Sequence, residues 1–221
     1  MSQIFENILS QEEIAQLLEY FNVVDDRSDI RESVSSKHPR WNIDAWPQNI
    51  ISKALDTVLD QAYDVEETVF NDSRISFQIH TDGGYNNPLR YKNVLFPLFV
   101  GPEGGATVLF DNYYNGDASK FTREDDPFYR SLDQANQLTT MDSRITDYST
   151  VINYNNEPFD KFFHSQYLNH IPYGNLHGLT IDKIMMWNPG DAIVFDRTQL
   201  HCASCHHQRK IGVTCFTNLI A

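Results

Sequence analysis

Residues 76–82 read Ser76-Phe-Gln-Ile-His-Thr-Asp82. In an extended chain alternate side chains share a face. Phe77 and Ile79 therefore point one way, and Gln78, His80 and Asp82 point the other. The second face is polar, yet it lies within an otherwise apolar region. An imidazole and a carboxylate are brought side by side, as ligands of one metal ion would be. Taken alone, a His-x-Asp step also fits a solvated strand end, so the rest of the chain has to decide.

Working outward, the C-terminal part carries Met185-Met-Trp-Asn-Pro-Gly-Asp-Ala-Ile-Val-Phe-Asp-Arg-Thr-Gln-Leu-His201. The Asn-Pro-Gly-Asp turn feeds an apolar strand, Ala192–Phe195, and a short connection delivers His201. With His80 and Asp82 it completes two imidazoles and one carboxylate. That set, on one face of an octahedron with three positions open, suits Fe(II) sites that activate O₂. Arg209 follows, opening the last strand, Lys210–Phe216. An Arg aimed into a barrel must meet an anion, since an unpaired buried guanidinium is very costly. A dicarboxylate would satisfy it with bidentate hydrogen bonds.

The remaining pattern predicts a mainly β fold with flanking helices. Val69, Ile75, Phe77 and Ile79 read as strand, as do Val94–Val100, Ala106–Phe110, Ile181–Trp187, Ala192–Phe195 and Ile211–Phe216. Short strands divided by Gly, Pro and Asn turns point to a sandwich or barrel. Before them, Ser10 and Glu13 form a capping box, and Ile14, Leu17, Leu18 and Phe21 recur at helical spacing, predicting a helix over 10–22. A second helix is predicted from Pro47 to near Tyr63, carrying Ile50, Ile51, Ala54, Leu55, Val58 and Leu59. The stretch 112–180 is polar and rich in Tyr and Asn, with helices expected near Pro127–Gln137 and Phe159–Leu168. Its aromatic side chains argue against disorder, and it reads as an insertion covering one mouth of the barrel.

Together, His80-Thr-Asp82, Gly104-Gly-Ala-Thr-Val-Leu-Phe-Asp111, Asn188-Pro-Gly-Asp-Ala-Ile-Val-Phe195, His201 and Arg209 resemble, in order and spacing, the 2-oxoglutarate/Fe(II)-dependent dioxygenases. The likeness is to their prolyl-hydroxylase and phytanoyl-CoA-hydroxylase side, and it covers about residues 70–111 and 181–218. It implies one oxygenase domain over 1–221: a helical part, 1–66; a double-stranded β-helix (a cupin-like jelly roll), 67–111 and 181–218; and an insertion, 112–180, as lid. It further implies Fe(II) on His80, Asp82 and His201, with 2-oxoglutarate as co-substrate. Arg209 would pair with the C5 carboxylate, and Asn93 would add a hydrogen bond to the co-substrate. The implied activity is hydroxylation with release of succinate and CO₂. One departure stands out: many relatives carry Ser or Thr two residues after the Arg, where this chain has Ile211.

Composition limits the partners. The chain has 221 residues and a formal net charge of −13. Nucleic-acid binding rests on Lys and Arg neutralising phosphates, so neither a nucleic acid nor an anionic membrane is expected. A small-molecule substrate is, because the length leaves little room for a recognition domain. No basic leader or apolar span is evident, and three clustered cysteines do not form a disulfide framework; a cytoplasmic setting is expected. Cys202-Ala-Ser-Cys205-His206 matches the haem-attachment pattern and could instead contribute to a zinc site. A non-catalytic cupin-type binding barrel is the other alternative. His38, His164, His170 and His177 have no ligand-like spacing.

Overall fold

The predicted capping box is present. Ser10 N–H donates to Glu13 Oε2 at 2.8 Å, and Glu13 N–H donates to Ser10 Oγ at 3.2 Å. Helix α1 then runs Gln11–Asp25. Helix α2 runs Gln48–Val58 and buries Ile50, Ile51, Ala54, Leu55 and Val58 along one face. It stops earlier than its sequence suggests. Leu59 is already extended, and Tyr63 opens a strand.

In this computed structural model the described residues are 2–25, 31–33, 39–42, 47–82, 89–116, 120–121, 144–145 and 147–220. The strands are β1 (Gln3–Phe5), β2 (Arg31–Ser33), β3 (Pro39–Asn42), β4 (Tyr63–Ser73), β5 (Arg90–Val100) and β6 (Ala106–Tyr113). They continue as β7 (Lys120–Phe121), β8 (Arg144–Ile145), β9 (Ile181–Met186), β10 (Ala192–Asp196), β11 (Gln199–Ala203) and β12 (Lys210–Leu219). The predicted helix at Pro127–Gln137 lies outside the described residues. The one near Phe159–Leu168 is present as α3 (Lys161–Tyr167), its start capped by Asp160.

Seven strands form one sheet in the order β1-β10-β5-β12-β4-β3-β2. A second sheet has the order β11-β6-β9. His80 bridges β11 at His201 and β7 at Lys120, so the pair β7-β8 continues this second sheet on the far side of His80. All pairings but β7-β8 are antiparallel. The two sheets face each other as a jelly-roll sandwich, the architecture expected from the sequence.

Apolar side chains sort into three clusters that mark the layers. The outer face of the large sheet (Phe70, Phe96, Ile211, Val213, Cys215) packs on α1 and α2, with Phe21 edge-on to Phe70 at 5.4 Å. Between the sheets lie Leu95, Leu109, Met185, Trp187, Ile193 and Phe195. The outer face of the small sheet (Ile79, Val108, Phe110, Leu200, Cys202) is covered by Val151, Phe159, Leu168, Ile171 and Leu176. The described part of the insertion therefore adds β7 and β8 to the small sheet and otherwise forms a layer on its back. Residues 117–119, 122–143 and 146 of the insertion lie outside the described residues.

The turn before β10 shows why glycine is required there. Gly190 has φ +98°, and a Cβ would sit 2.9 Å from the Leu9 carbonyl oxygen. That close approach lets Leu9 N–H donate to Gly190 O at 2.9 Å, which pins the N-terminal segment to the turn.

Candidate metal centre

Residues 76–79 do not form the regular strand that alternation predicts; only His80 makes ladder contacts. His80 N–H donates to His201 O, and His201 N–H donates to His80 O, both at 2.9 Å. This reciprocal pair places the two side chains on the same face. Their ring centroids are 4.2 Å apart. Phe77 stands edge-on to His80 and Phe195 edge-on to His201, so each imidazole is wedged by an aromatic ring.

The hydrogen bonds fix what each ring presents. His80 Nδ1 lies 2.8 Å from Gln78 O, and His201 Nδ1 lies 2.9 Å from Gln199 O. A carbonyl only accepts, so each Nδ1 carries the hydrogen. In the neutral ring Nε2 is then a lone pair. Both Nε2 atoms converge on Asp82, at 3.6 Å for His80 and 3.1 Å for His201. The potential ligand atoms of the three residues all lie within 4.8 Å of one another. Two lone pairs and a carboxylate facing one another repel unless a cation stands between them. The donor set fits a divalent metal, with the Gln78 and Gln199 carbonyls already orienting the two imidazoles.

Burial pushes the Asp82 carboxyl upward. With a proton in place of the cation on the rings, the charge and hydrogen bond of His201, then the charge of His80 and a hydrogen bond from Asn93, outweigh it and hold the group well below the usual carboxylate range. Asn93 reaches the site because its strand position pairs with Phe195 on β10 and Phe216 on β12. Its amide donates to Asp82 Oδ2. The sequence assigns Asn93 to the co-substrate; in the structure its amide meets the carboxylate of the candidate metal group.

Arg209 is also placed differently from its sequence reading. Its Nε and Nη2 donate to the two oxygens of Asp72 at 2.9 and 3.0 Å, and its guanidinium lies 5.7 Å from the Phe21 ring. It sits on the helix side of the large sheet, 38% exposed, rather than between the sheets. The neighbouring residue takes the inner side. Lys210 is 1% exposed, with its Nζ 4.3 Å from the centroid of the Trp187 ring. Among the described residues it has no hydrogen bond or ion pair. Burial, opposed slightly by Cys202, pushes its ammonium down to about 7. Gly105 makes room for it: a Cβ there would meet Lys210 Cδ at 2.7 Å.

Trp187 links Lys210 to β6, the strand that pairs with His201. The indole, which lies on the Lys210 ammonium, donates from Nε1 to Thr107 Oγ1 at 2.9 Å. Thr107 is two positions along β6 from Leu109, the cross-strand partner of His201. Two strand residues span about 7 Å.

No known family's sequence profile matches the chain, and no curated protein matches it by sequence. Solved structures do match in three dimensions. The non-heme alpha-ketoglutarate-dependent epimerase SnoN from nogalamycin biosynthesis superposes with a TM-score of 0.57 at 9% identity, over 99% of this chain and 78% of that one. EctD from S. alaskensis gives 0.52 at 14% identity, over 99% and 72%. HygX from Streptomyces hygroscopicus, crystallised with nickel and 2-oxoglutarate, gives 0.50 at 9%, over 99% and 82%. The fold is that of the 2-oxoglutarate/Fe(II) oxygenases. Identities this low carry the fold and not the reaction.

The cysteine cluster does not assemble. Cys202 is buried in the layer behind the small sheet, while Cys205 is half-buried near α3. His206 Nδ1 lies 2.9 Å from Ser204 O. Among the described residues the His80, Asp82 and His201 group is the one metal-competent cluster. No helix among them is long and apolar enough to cross a membrane.

Proposed function

We propose that this chain is a 2-oxoglutarate- and O₂-dependent Fe(II) oxygenase acting on a small molecule. The observation that carries it is the convergence of two Nε2 lone pairs and the Asp82 carboxylate between the sheets of this fold. His80, Asp82 and His201 would hold the metal. With Fe(II), 2-oxoglutarate and O₂ bound, the site would supply an oxidant for a substrate C–H bond, releasing succinate and CO₂.

The chain's own part is orientation, charge and exclusion of water. The Nδ1–carbonyl bonds hold both imidazoles as ligands, and Asn93 steadies the carboxylate. Lys210 takes the role that the sequence assigns to Arg209: it would pair with the distal carboxylate of 2-oxoglutarate. A buried cation without an anionic partner is costly, and the co-substrate's carboxylate removes that cost. Arg209 already has its anion in Asp72. Trp187, Phe195 and Leu109 make the surrounding wall apolar, which strengthens that ion pair and keeps bulk water away.

The small-molecule reading is supported by the neighbours. SnoN is crystallised with Fe3+, alpha ketoglutarate and nogalamycin RO, and EctD with 2-oxoglutarate and 5-hydroxyectoine. Hydroxylation is the default outcome, and the epimerase neighbour marks a different use of the same fold.

The test is an anaerobic titration with Fe(II) and 2-oxoglutarate, following the weak visible charge-transfer band of the chelate. The band should vanish in His80→Ala. In Lys210→Met it should need far more 2-oxoglutarate, while Arg209→Ala should titrate close to wild type. Dependence on Arg209 and not on Lys210 would return the anchor to Arg209. Absence of any band in the metal-loaded wild type would sink the reading.

A further inference from the structure

Asp82 ends the stretch 74–82, which follows β4 and has no strand ladder beyond the His80 bridge. Its main chain is nevertheless held at both polar atoms, and by one residue. Asp82 N–H donates to Arg197 O at 2.9 Å. The Arg197 guanidinium returns two bonds to the Asp82 carbonyl, from Nε at 3.2 Å and Nη2 at 3.0 Å. Arg197 belongs to the turn between β10 and β11 and is 2% exposed.

The far side of the guanidinium is anchored as firmly. Nη1 donates to Glu66 Oε2 at 2.6 Å and to Asn218 Oδ1 at 2.9 Å. It also lies 3.4 Å from Thr217 O. Asn218 Nδ2 in turn donates to Glu66 Oε2 at 3.0 Å. The guanidinium carbon sits 5.5 Å from the centroid of the Phe216 ring. A planar fork with all three of its nitrogens engaged is a rigid strut between β4, β12 and the Asp82 main chain.

We propose that Arg197 is a positioning residue for the metal centre, fixing through the Asp82 main chain the direction in which that carboxylate points. The proposal rests on the reading of His80, Asp82 and His201 as metal ligands. Arg197 touches neither metal nor substrate; it acts through Asp82. Partners of this kind typically govern metal affinity by about 10–100-fold.

Co(II) binding to the full chain, read by affinity and by its visible ligand-field absorption, tests this beside thermal unfolding of the metal-free proteins. Arg197→Lys should bind Co(II) about 10–100-fold more weakly with an altered absorption band, and Arg197→Met more weakly still. Glu66→Gln removes the charge on the far side but leaves the bonds of Arg197 to Asn218 and to the Asp82 carbonyl, so it should lower the unfolding temperature with a smaller loss of Co(II) affinity than Arg197→Lys. Wild-type affinity in Arg197→Lys overturns the proposal, as does an equal loss in Glu66→Gln, which would mark a purely structural strut. Asp82→Ala separates the two levels. If it binds Co(II) as wild type, the triad reading fails; if it loses Co(II) while Arg197→Lys keeps it, only the role of Arg197 fails. Should neither Arg197 variant fold, Zn(II) loading of the wild type should shift the Arg197 Nε–H resonance, and an unmoved resonance overturns the proposal.

Discussion

At the scale of residues, Lys210 makes the sharpest demand. Burial lowers its folded-state proton affinity to about 7, against an ordinary value of 10.5. Between those two values the unfolded chain binds more protons than the folded one. Stability of the metal-free protein should therefore rise as pH climbs from about 7 towards 10. Lys210→Met should flatten that rise, which denaturant midpoints at several pH values will show. The co-substrate reverses the preference, because its carboxylate needs the charged lysine. The apparent affinity for 2-oxoglutarate should fall as pH passes above about 7. Arg209 makes the opposite prediction. Arg209→Ala removes a bidentate partner from the buried Asp72. It should cost about 1–3 kcal/mol in chemical denaturation and leave 2-oxoglutarate binding alone.

The choice between those two neighbours shows where the sequence stops being legible. The three metal-competent residues could be read from His80-x-Asp82 and His201, since that chemistry leaves few alternatives. The inward cation could not. Strand β12 is covered on both faces, so residues 210–217 are all buried and no polar alternation marks the inner side. One signal was available. Ile211, in the place where relatives carry a hydroxyl, belongs to the helix-facing set with Val213 and Cys215. Counting from Lys210 instead puts Gly212 and Thr214 on the inner face. Arg197 lacked even that signal, because its partner atoms are main-chain.

At the scale of elements, local chemistry was the better guide. The Ser10–Glu13 box starts α1 as predicted, with both reciprocal bonds made. Ser10→Ala should cost about 1 kcal/mol, lowering the unfolding temperature by roughly 2–4 °C in calorimetry. The end of α2 was less legible. Leu59 and Tyr63 continue an apolar series by type, but Tyr63 donates its hydroxyl to Asp56 at 2.7 Å and opens β4. Strand β1 escaped notice because three residues are too short for a period, and β11 because Gln199-Leu-His-Cys-Ala203 lacks the apolar run that marks β10. Their pairing comes from the sheets they join.

At the scale of the whole molecule, the layers divide the work. The helices back the large sheet, the insertion backs the small one, and the candidate chemistry lies between. Damage to the back layer should therefore cost stability without moving the site. Leu168→Ala, at a position fully buried among Ile79, Phe110 and Leu200, should destabilise by about 2–5 kcal/mol. Co(II) affinity measured well below the new unfolding temperature should stay close to wild type. A large loss of affinity there would mean that the back layer holds His80 in place through Ile79.

The three thiols are distributed unevenly across these layers. Burial raises Cys202 far above the usual thiol range and pushes Cys215 up to about 12, and neither side chain is exposed. Cys205 alone is half-exposed, and its N–H donates to Tyr167 O at the end of α3. The native protein is thus built for attachment of a spectroscopic reporter at one point, with no thiol removed beforehand. A fluorophore or nitroxide on Cys205 would stand at the seam between the back layer and the strands that carry the candidate centre. It could record any loosening of that seam when cobalt or 2-oxoglutarate is added.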